Sequence, residues 1–192
     1  MAVSRKGRIG ILGGRFDPPH VGHVGLAKGG IGHFGIDCLY VTVVAAAGHK
    51  PSAASAEDRL AMTRLAFAEL DAVVELELHS YTVDALAARR YDDPIFLIGA
   101  DQLASLSTWK EPERVLELAR LGVATRPGYV PKRSSDRIEV FELQPHDVSS
   151  TDIRERVRCG EPIVGLVAPA VAAYIADNDL YRADRRRALR LH

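Results

Sequence analysis

The sequence is poor in cysteine: Cys38 and Cys159 are the only two, far apart and without a partner pattern. That argues against a disulfide framework or a zinc knuckle and fits a reducing compartment. No sign of charge prevails, since 25 basic and 25 acidic side chains leave a formal net charge of zero. A general nucleic-acid binder normally carries a basic excess, so that class is disfavoured. Any anion-binding charge must therefore be concentrated locally. Long apolar runs are missing too. The opening MAVSRKGRIGILGG passes straight into a strand-like segment without a signal-peptide core, and nothing later is long enough to span a membrane. The expected location is the cytoplasm. Neither a Walker A loop nor a GxGxxG dinucleotide fingerprint occurs.

What is present is an ordinary globular composition, 47% hydrophobic and 26% charged over 192 residues. The reading is one compact domain over residues 1–181, with a basic tail over 182–192 (RADRRRALRLH) taken as a solvated, frayed end. Short apolar runs alternate with helical patterns throughout. Strands are expected at 8–12, 38–45, 73–78, 95–98, 121–125 and 138–143. The run at 38–45, apolar on both faces, has the character of a central parallel strand. Helices are expected at 21–34, after Ser55 (which forms a capping box with Asp58), at 82–90 and at 111–120, with 150–181 mostly helical. Repeated β–α alternation implies an α/β fold, a doubly wound (Rossmann-like) parallel sheet with right-handed crossovers and a small C-terminal helical part. The helix at 21–34 is the awkward element. Gly25, Gly29, Gly30 and Gly32 fall inside it, and each costs roughly 1 kcal/mol against alanine.

Three segments carry candidate chemistry. After the first strand comes Gly13-Gly14-Arg15-Phe16-Asp17-Pro18-Pro19-His20-Val21-Gly22-His23. It delivers His20 and His23 to a helix N-terminus, whose free N–H groups and positive dipole end suit an anion. A bare His-x-Gly-His could be a chance pair or part of a metal site, but no cysteine or carboxylate cluster accompanies it. Next, the strand FLIG ends in Gly99 and is followed by Asp101, at the sheet edge where open parallel sheets bind ligands. Asp101 taken alone reads equally as a helix N-cap, and Trp109 as core. Last, Ser149, Ser150 and Thr151 open a helix with Arg154 one turn inside. They are either plain caps or a triphosphate grip.

The eleven-residue string resembles the GGTFDPxHxGH signature of the nucleotidylyltransferase superfamily. FLIGADQL with Trp109, then TRPGY, then VSSTDIR, and the partial match HSYTVD at 79–84, resemble the bacterial nicotinate-nucleotide adenylyltransferases. The resemblance covers nearly the whole chain, with the motifs in family order. It implies transfer of the adenylyl group of ATP to nicotinate mononucleotide, giving pyrophosphate and the dinucleotide precursor of NAD. It further implies ATP contacts from Gly13, Gly14, Phe16, His20, His23, Gly99, Asp101, Ser150 and Arg154. Acceptor contacts would come from Tyr81, Thr82 and Trp109. His20, His23, Lys50 and Arg154 would carry the catalytic charge stabilisation. Mg²⁺ would accompany ATP, bridging phosphates mainly through water rather than in a protein metal site. The implied partners are small molecules, with neither nucleic acid nor membrane, and a homo-oligomer stays open. Two departures stand out. Arg15 replaces the family's usual threonine or serine, and the PPHK-like stretch is reduced to Ala47-Gly48-His49-Lys50, where Lys50 reads as a phosphate ligand or a surface lysine. The rival readings are a phosphopantetheine adenylyltransferase and a nucleotide-binding regulatory protein that has lost turnover.

Overall fold

The computed structural model describes residues 7–45, 52–128, 135–144 and 146–182. Lys50, most of the 127–135 loop and the tail beyond Arg182 lie outside the described residues. Six strands, β1 (Ile9–Gly14), β2 (Cys38–Val44), β3 (Ala72–Glu77), β4 (Ile95–Gly99), β5 (Arg120–Thr125) and β6 (Ile138–Glu142), form one sheet in the order β3-β2-β1-β4-β5-β6. All five pairings are parallel. The order reverses between β1 and β4, and in open α/β sheets that switch point opens a crevice at the strands' carboxyl ends.

Helices cover both faces. On one, α1 (Val21–Phe34) and α2 (Ala56–Ala66) pack on Leu12, Leu39, Val41, Val43 and Leu97. On the other, α3 (Thr82–Arg89), α4 (Ala100–Ala104) and α5 (Pro112–Leu118) cover Ile11, Phe96, Ile98, Leu121 and Val123. The last two helices, α6 (Ser150–Cys159) and α7 (Pro169–Asp177), share a third cluster with α2 through Met62, Ile153, Val171 and Ile175. Among the described residues no helix is long and apolar enough to cross a membrane.

Several expected boundaries shift for physical reasons. Gly13 and Gly14 do not follow the first strand but are the last two residues of β1, paired with Thr42 and Val43. Their missing side chains make room for rings: a Cβ at Gly14 would lie 3.0 Å from Phe16, and one at Gly13 3.2 Å from Phe96. The expected helix at 111–120 stops at Leu118, because Arg120 pairs with Ile95 as the first residue of β5. The C-terminal segment breaks between α6 and α7, with Gly160 at φ 74° closing α6. A short α4 and a 3₁₀ turn at Leu106–Thr108 carried no separate periodic signal.

The glycine-laden α1 forms because its neighbours require small residues. A Cβ at Gly30 would stand 2.6 Å from Cδ1 of the fully buried Leu97, and one at Gly29 3.0 Å from Phe141. Close helix–sheet approach offsets the propensity cost. Gly32 has nothing within 4 Å. We therefore expect Gly32→Ala to stabilise the fold by about 0.5–1 kcal/mol. Gly30→Ala should destabilise it by about 1–3 kcal/mol through overpacking. Urea denaturation of the two variants checks the pair; stabilisation by both would show that the packing explanation is wrong.

Candidate active site

Two clefts meet at the carboxyl end of β1. The first, about 650 Å³, runs between the α1 N-terminus, the β4–α4 junction and the start of α6. The second, about 550 Å³, lies toward α3 and Trp109. Gly13, Gly14, Arg15 and Gln102 border both. A molecule in each would be separated only by the end of β1.

His20 is the N-cap of α1 and His23 stands three residues on. Their rings stack with centroids 3.7 Å apart. Burial, with a smaller push from His146, lowers the pKa of His20 to about 4. Burial, then His20, lowers that of His23 to about 3. Both imidazoles are therefore neutral at pH 7. The His20 backbone N–H donates to His23 Nδ1 at 3.2 Å. A neutral ring that accepts at Nδ1 carries its proton on Nε2, so His23 brings a hydrogen-bond donor to the cleft it lines. His20 Nδ1 is buried without a partner among the described residues.

The loop bearing these histidines is held from three sides. The buried Asp17 carboxylate accepts from the Ala53 and Ala54 N–H groups at 2.7 and 3.2 Å and from the Tyr181 hydroxyl at 2.8 Å. Burial and then the Asp17 carboxylate push the Tyr181 phenol well above its ordinary pKa, so it remains a donor. Arg154 donates to the Asp17 carbonyl at 2.6 Å, and the Ser150 hydroxyl donates to the Pro18 carbonyl at 2.8 Å. Ser149, not Ser150, caps α6, accepting from Asp152 N–H at 3.1 Å. Arg59, only 1% exposed, donates to the carbonyls of Arg15, Val44 and Ala45.

The other sequence candidates fall around the clefts. Phe16, Gly99, Asp101, Ser150 and Arg154 line the first. Phe16 keeps its ring in the core, edge-on to His23 and Phe67. Asp101 does not cap α4, whose N-cap is Gly99; its Oδ1 folds back to 2.6 Å from where a Gly99 Cβ would be. An alanine at 99 would require this exposed carboxylate to turn away. Tyr81, Thr82 and Trp109 line the second cleft, where the N-terminus of α3 opens. Trp109 is also a core wall, edge-on to Phe96, and Lys110 sits 5.2 Å above the Tyr81 ring. On the cleft's far side Glu77 is saturated. Arg89 donates to one oxygen at 2.7 and 3.1 Å, while His79 donates to the other from N–H at 2.9 Å and from Nδ1 at 2.7 Å. Burial alone would raise its pKa, but these bonds hold the carboxyl below its ordinary value.

Sequence reading missed Asp17, Arg59, Gln102, Arg126 and His146. Asp17 lay inside the quoted string. Arg59 follows the Ser55–Asp58 cap and precedes Met62 by one turn, so it shares the buried face; its charge concealed that. Gln102 and Arg126 also lay inside named motifs, FLIGADQL and TRPGY, whereas His146 comes from a loop that carried neither motif nor periodic signal.

The parallel sheet of this order, with histidines at its switch point, is shared by many α/β folds, and the relatives place this one in the nucleotidyltransferase class. The cytidylyltransferase-like family model matches residues 11–156. The chain is 38% identical to a Bordetella avium protein named "Probable nicotinate-nucleotide adenylyltransferase", covering 91% of this chain and 98% of that one. It is 40% identical to a Thermus thermophilus protein of the same name, over 91% of this chain and 100% of that one. The chain belongs to the nicotinate-nucleotide adenylyltransferase family. Its fold matches the solved Plasmodium falciparum nicotinic acid mononucleotide adenylyltransferase complexed with APC, at a TM-score of 0.74 and 16% identity, covering 91% of this chain and 97% of that one.

The histidine pair makes a direct prediction. In the free protein both rings should stay neutral at pH 6 and titrate only near pH 4 and 3. In the unfolded chain they titrate near 6.5. The unfolded state then binds more protons over that interval, so stability falls as pH drops below about 6.5. Imidazole NMR titration tests this, and midpoints between 6 and 7 would contradict the buried, neutral pair.

Proposed function

We propose that the chain transfers the adenylyl group of ATP to nicotinate mononucleotide, with ATP in the first cleft and the pyridine mononucleotide in the second. The observation that carries this reading is the meeting of the two clefts across Gly13–Arg15, with the family motifs distributed around both. An acceptor phosphate in one cleft faces the α-phosphorus of a nucleotide in the other across that border. One of its oxygens attacks in line, a new P–O bond forms, and the bond from the α-phosphorus to the bridging oxygen breaks. Pyrophosphate leaves with that electron pair, and the attacking phosphate, already ionised, needs no base.

Catalysis is then positioning and charge stabilisation. His23 donates from Nε2, and His20 and the free amides of the α1 N-terminus join it on the β- and γ-phosphates. Arg154 keeps part of its guanidinium on the Asp17 carbonyl and turns the rest to the triphosphate. Lys50 acts at the same phosphates. Asp101 orients the nucleoside, and Ser150, Gly99 and Phe16 shape its seat. Amides near Thr82 and Trp109 meet the nicotinate carboxylate, while Tyr81 and Trp109 flank the ring. No group of three metal-ligating side chains occurs among the described residues. Of the first cleft's two carboxylates, Asp17 is occupied and Asp101 is exposed. With that donor set Mg²⁺ would be held mainly by the phosphates and its own waters, and it would supply charge neutralisation there. The setting is the cytoplasm and NAD synthesis, in a single domain over residues 1–181.

Pyrophosphate release measured with ATP and a set of acceptors tests the reading. Nicotinate mononucleotide should be used much faster than nicotinamide mononucleotide, and preference for phosphopantetheine, or no turnover with any acceptor, would overturn it. His20→Ala or His23→Ala should lower kcat by on the order of 10²-fold or more in a folded protein. Arg15 borders both clefts and makes no side-chain hydrogen bond among the described residues. Its cation strengthens ground-state ATP binding without favouring the transition state. Arg15→Thr should therefore raise kcat and modestly weaken ATP binding; a fall in kcat would mean the arginine takes part in catalysis.

A further inference from the structure

The α1 glycines are not all explained by packing on the sheet. Gly29 and Gly30 face Phe141, Leu143 and Leu97, and Gly32 faces open space. Gly25 answers to one neighbour only, the His146 ring: a Cβ there would lie 2.9 Å from Nε2 and 3.1 Å from Cδ2. His146 is exposed and its side chain makes no hydrogen bond among the described residues. An alanine at 25 would require only this exposed ring to move, so the glycine in the second turn matters only if the ring's place does.

The ring's position gives the arrangement a purpose. His146 lines the first cleft. A single point above Gly22, where a Cβ would be, lies 3.1 Å from His20 Nδ1 and 3.7 Å from the His146 Cβ. Three imidazoles thus converge on the α1 N-terminus. The His20 and His23 rings are partly buried, with pKa values lowered to about 4 and about 3, whereas the His146 ring is exposed.

We propose that His146 is a third phosphate-contacting imidazole of the ATP site, and that position 25 is glycine so that this ring can lie against α1. The proposal rests on the first cleft being the ATP site. An anion drawn to the free amides of α1 comes within reach of His146, and the charge-assisted bond it forms adds to those of the buried pair.

The test compares His146→Ala, His146→Gln, Gly25→Ala and the Gly25→Ala/His146→Ala double variant. His146→Ala should raise the KM for ATP about tenfold, as loss of one bond to a charged group does, with kcat and the acceptor KM nearly unchanged. His146→Gln, which keeps a donor, should recover most of the loss. Gly25→Ala should raise the melting temperature and yet copy the ATP defect, and the double variant should be no worse than His146→Ala. Inorganic tripolyphosphate binding, read by calorimetry, should weaken by the same factor in His146→Ala. That measurement also works on a chain that does not turn over, so failure of the enzymatic reading is distinguishable from failure here. Unchanged tripolyphosphate binding in His146→Ala, weaker adenosine binding in its place, or additive effects of the two substitutions would each overturn the proposal.

Discussion

The site depends on one buried carboxylate. Asp17 takes the N–H groups of Ala53 and Ala54 and the hydroxyl of Tyr181, and its own carbonyl takes a guanidinium N–H from Arg154. Those four bonds join the turn after β1 to the segment before α2, to α6 and to the segment after α7. A charge-assisted bond to a buried carboxylate is among the stronger polar contacts, and losing one costs about 1.5–3 kcal/mol. The histidine loop is therefore fixed before any ligand arrives. That preorganisation is what electrostatic catalysis needs, since donors already in place require no rearrangement as charge develops.

Arg59 completes this frame from beneath. Its guanidinium spans the carbonyls that end β2 and the Arg15 carbonyl that leaves β1. A planar fork with several fixed donors does this where a lysine could not. Two charged side chains, Asp17 and Arg59, thus hold the geometry of a neutral pair. The neutrality of His20 and His23 follows from the desolvation of their rings, and among the described residues Arg15, Arg126 and Arg154 are the arginines that line the first cleft.

The glycines divide in a similar way. Gly13 and Gly14 give room to aromatic rings, Gly30 to a central-strand leucine and Gly99 to the Asp101 carboxylate. Each is a short-range steric requirement imposed by an element distant in sequence, except at Gly14 and Gly99. This is why the propensity of α1, judged locally, pointed away from a helix that nonetheless forms.

The sequence by itself determined the alternation of strands and helices, the Ser55 cap, and the placing of His20 and His23 at a helix start. These rest on local periodicity, capping chemistry and motif spacing, which act within a few residues. Tertiary structure alone decided that Glu77 and Arg89 would be a saturated pair, that Arg59 and Asp17 would be buried, that Ser150 would release the cap to Ser149, and that His146 would reach α1. It also decided that the glycine pair would end a strand, because pairing with Thr42 and Val43 stabilises extended backbone there. Each of these depends on partners dozens of residues away or on competition between neighbours for one hydrogen bond. Periodicity holds no record of either, since both are settled only when the sheet has assembled.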